Sequence, residues 1–389
     1  MGKPLVALSA SFIGGGTVRA TSRRLKGICL LTLIGLVSPT FAADETGLQK
    51  AKKESESKGM IFIANRDEII AKAKKEGRVR VGSTLDPDTY KPMVQAFRKK
   101  YPFLDAQMEE LSGSIYGEKF LTELAAGKSP AWDLVHAPED YYARFAENAM
   151  KFDLLAMAQH GVLAINPKMV DPDLRTVVAV GSGLCASAYN REALPPERAP
   201  NTWDDFLKPE FKGRKFLVDI RPYCIAALAN GLGDEWVRNY ATKLKEQQPV
   251  WSRGQTRALT AIVAGEYMMH QAGNYHGCVR VQQKDPRKLL VCKLIEPTPV
   301  RLQENEFVIK AAAHPHAALL FLEHEVSPEG QKILDEVEPV KSSLHTDGEV
   351  ARLIKGKRIA LNDFRSHRDS ARRMRMVLEA FGFPNAELK

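Results

Sequence analysis

Between residues 78 and 135 the hydrophobic period switches repeatedly, and that alternation leaves few architectures open to the chain. Arg78-Val79-Arg80-Val81-Gly82-Ser83 alternates like a strand, and Asp86-Pro87 breaks it. Met93, Phe97 and Tyr101 then fall at i, i+4 and i+8, the stripe of a core-facing helix. A second short strand is expected at 105–111. Residues 116–126 follow as a helix with Phe120, Leu121 and Leu124 on one face, stopped by Gly127. Asp133-Leu134-Val135 reads as a third strand. Strands separated by helices point to α/β layers around a mostly parallel sheet.

The middle of the chain repeats this grammar. Residues 184–189 read as a buried strand ending at Asn190, and Thr202-Trp203-Asp204-Asp205 is a capping box opening a short helix. A strand is expected at 214–219, a helical stripe at Trp236, Tyr240 and Leu244, and a helix at 256–264 that Gly265 ends. Residues 267–271 form the next strand, residues 316–325 a strongly apolar helix, and the tail from Lys355 one or two further helices. Residues 44–77, rich in Lys and Glu, read as a loose extension running into one helix that ends near Gly77.

The first 43 residues have the form of an export signal. Arg23, Arg24 and Lys26 precede the apolar run 28–37, and Ser38-Pro39-Thr40-Phe41-Ala42-Ala43 supplies small residues for cleavage near Ala42/Ala43. The run is too short to span a bilayer, which takes about 20 residues. A periplasmic working place is therefore expected. Of the formal charge of +9, Lys3, Arg19, Arg23, Arg24 and Lys26 sit in this leader without an acidic residue. The remaining excess is mild, and no nucleic-acid partner is expected. Outside the leader lie Cys185, Cys224, Cys278 and Cys292. An oxidising compartment permits disulfides, and four cysteines allow three full pairings. Cys278 and Cys292 flank a turn at Lys284-Asp285-Pro286 and are the favoured pair.

Several segments in order resemble periplasmic substrate-binding proteins of ABC importers, above all the ferric-iron-binding, extracellular solute-binding subgroup. They are Phe97-Arg98-Lys99-Lys100-Tyr101-Pro102, Ser112-Gly113-Ser114, Leu124-Ala125-Ala126-Gly127-Lys128 and Trp132-Asp133-Leu134. Further on come Ala188-Tyr189-Asn190, Pro200-Asn201-Thr202-Trp203-Asp204-Asp205-Phe206-Leu207, Val263-Ala264-Gly265-Glu266-Tyr267 and Ser327-Pro328-Glu329-Gly330-Gln331. The resemblance spans roughly residues 77–340 and implies the two-lobed type II periplasmic binding fold. Each lobe would be a mostly parallel sheet with flanking helices, with the ligand in the cleft between them. Crossovers are then expected near 178–183 and 295–304. Lobe 1 would be discontinuous, 78–182 plus 296–389, and lobe 2 would span 183–295. A monomer that closes by hinge motion on a small-molecule ligand and docks on a permease in the inner membrane is implied, with no cofactor.

In such an architecture the cleft is lined by loops after strands and by helix N-termini, which suit anions. Ser83 and Thr84, Ser112, Gly113 and Ser114, Arg221 and Tyr223, and Arg253 qualify by composition. Arg221 and Arg253 are the strongest candidates, since a guanidinium grips carboxylate or phosphate with two hydrogen bonds. Ferric binders of the subgroup offer adjacent tyrosines where this chain reads Asn274-Tyr275-His276, so one tyrosine is replaced by histidine. Tyr275 and His276 would serve if iron were the ligand, and His136 and Glu139, after the third strand, could join them. No metal is favoured. The expected ligand is a small anion: an organic carboxylate, a phosphonate or a phosphate ester. Ferric iron is the alternative. No GxSxG elbow occurs, and no enzyme is expected; an exported enzyme or a solute sensor are the remaining alternatives.

Overall fold

The computed structural model describes residues 45–111, 114–126, 131–213 and 216–383; the expected leader, together with Ser112 and Gly113, lies outside them. Among the described residues the strands are β1 (Arg78–Ser83), β2 (Asp105–Glu110), β3 (Leu134–His136), β4 (Val178–Asn190) and β5 (Phe216–Asp219). They continue with β6 (Val250–Ser252), β7 (Met269–Asn274), β8 (Leu290–Lys293), β9 (Thr298–Val308) and β10 (Ile359–Asn362). Their order is β2-β1-β3-β9-β4-β7-β5-β6, with β10 beside β9 and β8 beside β4.

Two long strands divide this order into two lobes. The first half of β4 runs antiparallel to β9, from Val178 opposite Glu306 to Leu184 opposite Val300. The second half, from Cys185 on, pairs with β7 and β8 instead. Within each lobe the outer strands are parallel: β1 with β2 and β3, β5 with β6 and β7. Each lobe has its own core. Val79, Val81, Met93, Phe97 and Phe321 are buried together in the first, and Trp203, Phe216, Val237 and Tyr240 in the second. Burying a Phe or Val side chain contributes roughly 1.5–3 kcal/mol, so period and burial agree on which faces turn inward.

The local signals explain the elements. The helix Pro87–Lys100 opens with proline in its first turn and ends on Arg98, Lys99 and Lys100, which complement its dipole. Thr202 and Asp205 bond reciprocally, Thr202 N–H to Asp205 Oδ2 at 2.9 Å and Asp205 N–H to Thr202 Oγ1 at 3.2 Å. At the crossover, Gly181 lies against the backbone of the returning chain. A Cβ there would stand 2.9 Å from the Lys341 carbonyl oxygen, which explains a glycine on a fully buried strand.

Three segments differ from expectation. The extension is not loose: residues Glu45–Ser57 form a helix that buries Ala51, and Ser55 donates to Asp153 at 2.6 Å. The tail holds the strand β10 before its helix, paired parallel to β9. The final helix, Phe364–Phe381, does not stay with lobe 1. Phe364 joins a core with Tyr142 and Phe307, but Met374, Val377 and Phe381 are buried in the second core. Its apolar stripe is long enough to cover both lobes, which the assignment of 296–389 to lobe 1 did not anticipate.

Both disulfides sit in the second lobe. Cys278–Cys292 is the pair favoured by the sequence and joins the helix Tyr275–Lys284 to β8. Cys185–Cys224 ties the second half of β4 to the short helix Tyr223–Ala227. Among the described residues, no helix is long and apolar enough to cross a membrane.

Candidate interlobe solute site

Two adjoining cavities open where the lobes meet. The smaller, about 180 Å³, is lined by Thr84, His136 and Glu139 from the first lobe, Tyr223 from the second, and Arg301, Glu304 and Asn305 from β9. The larger, about 940 Å³, is lined mainly by the second lobe, including Arg221, Arg253, Gln255, His276 and Arg280, with Asp86 facing them.

Arg301 is the centre of the small cavity. It is only 5% exposed, yet its guanidinium reaches both lobes. Nη1 donates to Glu139 Oε2 at 2.9 Å and Nη2 to Asn274 Oδ1 at 2.6 Å. The guanidinium also lies 5.3 Å from the centre of the Tyr223 ring, a cation–π distance. Beside it, Glu304 accepts from Thr84 at 2.5 Å and pairs with Lys341 at 2.9 Å. Burial pushes Glu304 upward, but Lys341, His136 and the Thr84 hydroxyl outweigh it and hold the carboxyl at about 2. Burial keeps His136 below its ordinary value, and it stands 3.5 Å from Glu304.

The larger cavity is built on two helix starts. Gln255–Val263 and Tyr275–Lys284 begin at Gly254 and Asn274, neither of which caps its helix with a side chain. Gln255 locks them together, its Oε1 accepting from Asn274 N–H at 2.9 Å. The exposed amide donors and partial positive charge of such ends suit an anion. Arg280 pairs with Asp86 at 2.6 Å, an ion pair from one lobe to the other. His276 is pushed down to about 3, first by burial and then by Lys341 and Arg301, so its imidazole is neutral.

The structure brings Thr84, His136 and Tyr223 together in one cavity and Arg221, Arg253 and His276 in its neighbour. Two expected residues go elsewhere. The Ser83 hydroxyl is fully buried and donates to Glu306 at 3.2 Å, facing the first lobe's interior. Tyr275 packs against the cluster of Leu184, Val300, Val340 and Val350 and lines neither cavity, and burial raises its phenol. Ser114 begins the helix Ser114–Ala125. Sequence reasoning missed Arg301, Glu304 and Lys341, and weighed Glu139 only as a ligand beside His136. The available signal was the density of charged and amide residues in Arg301-Leu302-Gln303-Glu304-Asn305-Glu306, at a predicted crossover. A further cavity of about 710 Å³, lined by Gln331, Asp335, His345 and Glu349 among others, lies within the first lobe's chain and includes none of these residues.

Two lobes strung on a pair of crossover strands, with a polar cavity at the crossing, define a two-lobed periplasmic binding protein. The chain belongs to the bacterial extracellular solute-binding protein family, whose model matches residues 92–346. Similar solved structures include iron-bound HitA from Pseudomonas aeruginosa, at 15% identity and TM-score 0.56, covering 78% of this chain and 99% of that one. FutA from Trichodesmium, in complex with iron and citrate, is 19% identical with TM-score 0.60, covering 79% and 100%. Apo ferric ion-binding protein A from Pasteurella haemolytica is 15% identical with TM-score 0.61, covering 79% and 99%. No curated protein matches by sequence.

Proposed function

We propose that this chain is the periplasmic solute-binding component of an ABC importer, capturing a small anion between its lobes and delivering it to a membrane permease. The chain works as a monomer after loss of residues 1–43, with residues 78–182 and 183–295 supplying the two jaws. The carrying observation is the guanidinium-rich wall of Arg221, Arg253 and Arg280 beside two helix starts that lack side-chain caps. Arg301, paired with Glu139 of the first lobe and bonded to Asn274 of the second, ties the cleft floor to hinge closure. An organic carboxylate, a phosphonate or a phosphate ester meets these donors in charge and geometry.

The test is a thermal-shift screen over carboxylates, phosphonates, phosphate esters and ferric chelates, since a ligand that binds only the folded form raises the melting temperature. Shifts with the metal-free anions support this reading; shifts confined to the ferric chelates reject it.

Ferric iron is the second reading, favoured because similar solved structures hold iron, one of them together with citrate. Phenolates, as hard oxygen donors, suit such a cation, and Tyr275 and His276 are the residues at the corresponding place. Against it, Tyr275 faces an apolar cluster, and Glu139 and Glu304 are already matched by Arg301 and Lys341. Iron bound through Tyr275 would give a coloured protein whose charge-transfer band is lost in Tyr275→Phe.

A further inference from the structure

The small cavity carries more information than its charge. Four of its lining side chains hold buried polar atoms without a hydrogen-bond partner: Glu139 Oε1, Asn305 Oδ1, Arg301 Nε and His136 Nδ1, the last facing Glu304 at 3.5 Å. Asn305 is fully buried, and Arg301 and His136 are 5% and 8% exposed. A buried polar group left unmatched costs about 1–3 kcal/mol, so a group that supplied partners for these atoms would be held firmly. Two of these atoms are acceptors, one is a donor, and the imidazole nitrogen serves as either. A bare anionic group cannot match them, because carboxylate and phosphate oxygens only accept. Hydroxyl groups can, because each donates once and accepts twice. The Tyr223 ring adds an apolar face on which the C–H side of a hydroxylated carbon skeleton can pack.

The large cavity asks for the opposite chemistry. Its lining carries Arg221, Arg253, Arg257, Arg280 and Lys284 against the single acid Asp86. A phosphate monoester, with a charge near −1.5 to −2 and three acceptor oxygens, matches such a wall better than one carboxylate. The two cavities are neighbours: Arg301 in the small one donates to Asn274, which lines the large one. Thr84 and Asp86, and likewise Tyr223 and Arg221, lie two residues apart on either side of the same seam.

We infer that the solute is a phosphorylated polyol or sugar, its phosphate held on the arginine wall and its hydroxyls filling the small cavity between Glu139, Arg301 and Asn305. This inference rests on the anionic-solute reading and narrows it to one class. The hydroxyls would be read by paired donors and acceptors, which is where discrimination against a plain phosphate arises.

The test compares glycerol 3-phosphate with propyl phosphate, which share charge and chain length and differ in two hydroxyls. Calorimetry on the mature protein should show glycerol 3-phosphate binding at least tenfold more tightly. Asn305→Leu, checked for an intact melting transition, should reduce that preference to under threefold. Equal affinity of the two esters for the wild type overturns the inference and leaves the anionic reading standing. A full preference retained by folded Asn305→Leu overturns the placement of the hydroxyls. Failure of both esters to bind overturns the inference and the phosphate-ester form of the broader reading together. If Asn305→Leu does not fold, the wild-type comparison alone decides.

Discussion

Arg301 and Glu139 stand 162 residues apart in sequence and 2.9 Å apart in space, and their ion pair forms the floor of the interlobe cleft. Glu139 belongs to the loop after β3 and Arg301 to the returning crossover strand. The pair therefore joins the first lobe to the hinge, and the same guanidinium reaches the second lobe through Asn274.

Removing one partner of this buried pair should cost far more than removing both. Arg301→Ala leaves a carboxylate uncompensated and should lose about 3–5 kcal/mol of stability. Arg301→Ala/Glu139→Ala should recover most of that in urea denaturation. Anion binding should remain lost in both. A double variant no more stable than the single would show that the pair is not coupled.

The exposed wall is expected to act on affinity and not on folding. Arg253→Ala should weaken calorimetric anion affinity at least tenfold, a loss of about 1.4 kcal/mol, with an unchanged melting temperature. Raising the salt concentration should shrink the difference between wild type and variant. Unchanged affinity would remove Arg253 from the site.

Stability should fall as the solution passes neutrality. Glu306 and Glu325 are fully buried in the first lobe. Burial raises both above the ordinary carboxylic range, Glu306 to about 7, and their mutual repulsion raises Glu325 further. A carboxyl with a raised folded value contributes stability below its unfolded value of 4.5. That contribution is lost as pH rises through the folded one. Melting temperatures measured between pH about 5 and about 8 should decline toward the upper end. Glu325→Gln should flatten the decline; an equally steep profile in that variant would contradict the assignment.

The disulfide Cys278–Cys292 holds the helix that carries His276 and Arg280. Replacing both cysteines by alanine should cost about 2–4 kcal/mol in urea denaturation. Anion affinity should weaken too, because the helix start that faces the anion loses its anchor. A loss of stability with full affinity would separate the staple from the site.

The fold was legible because its signals are local. The alternation in β1, the stripe of Met93 and Phe97, and the Thr202–Asp205 capping box each lie within a few residues of sequence. The site was legible in part, and for the same reason. Thr84, Tyr223, Arg221 and Arg253, which line the two candidate cavities, could be singled out because they follow strands or open helices. Arg301 and Glu304 were not, because charges on a strand read as solvent-facing, and Lys341 was not, because it lies in the irregular segment after the helix Pro328–Val337. Only partners far along the chain, Glu139 for Arg301 and Lys341 for Glu304, explain why they are buried. The helix Glu45–Ser57 was missed because its Lys-Glu composition resembles a solvated tail, and only Ala51 and Ser55 betray a packed side.

Small-angle scattering of the protein, with and without the anion that gives the largest thermal shift, tests hinged capture most directly. Saturating anion should contract the radius of gyration as the lobes close over Arg301. An unchanged scattering curve at calorimetric saturation would contradict capture between the lobes.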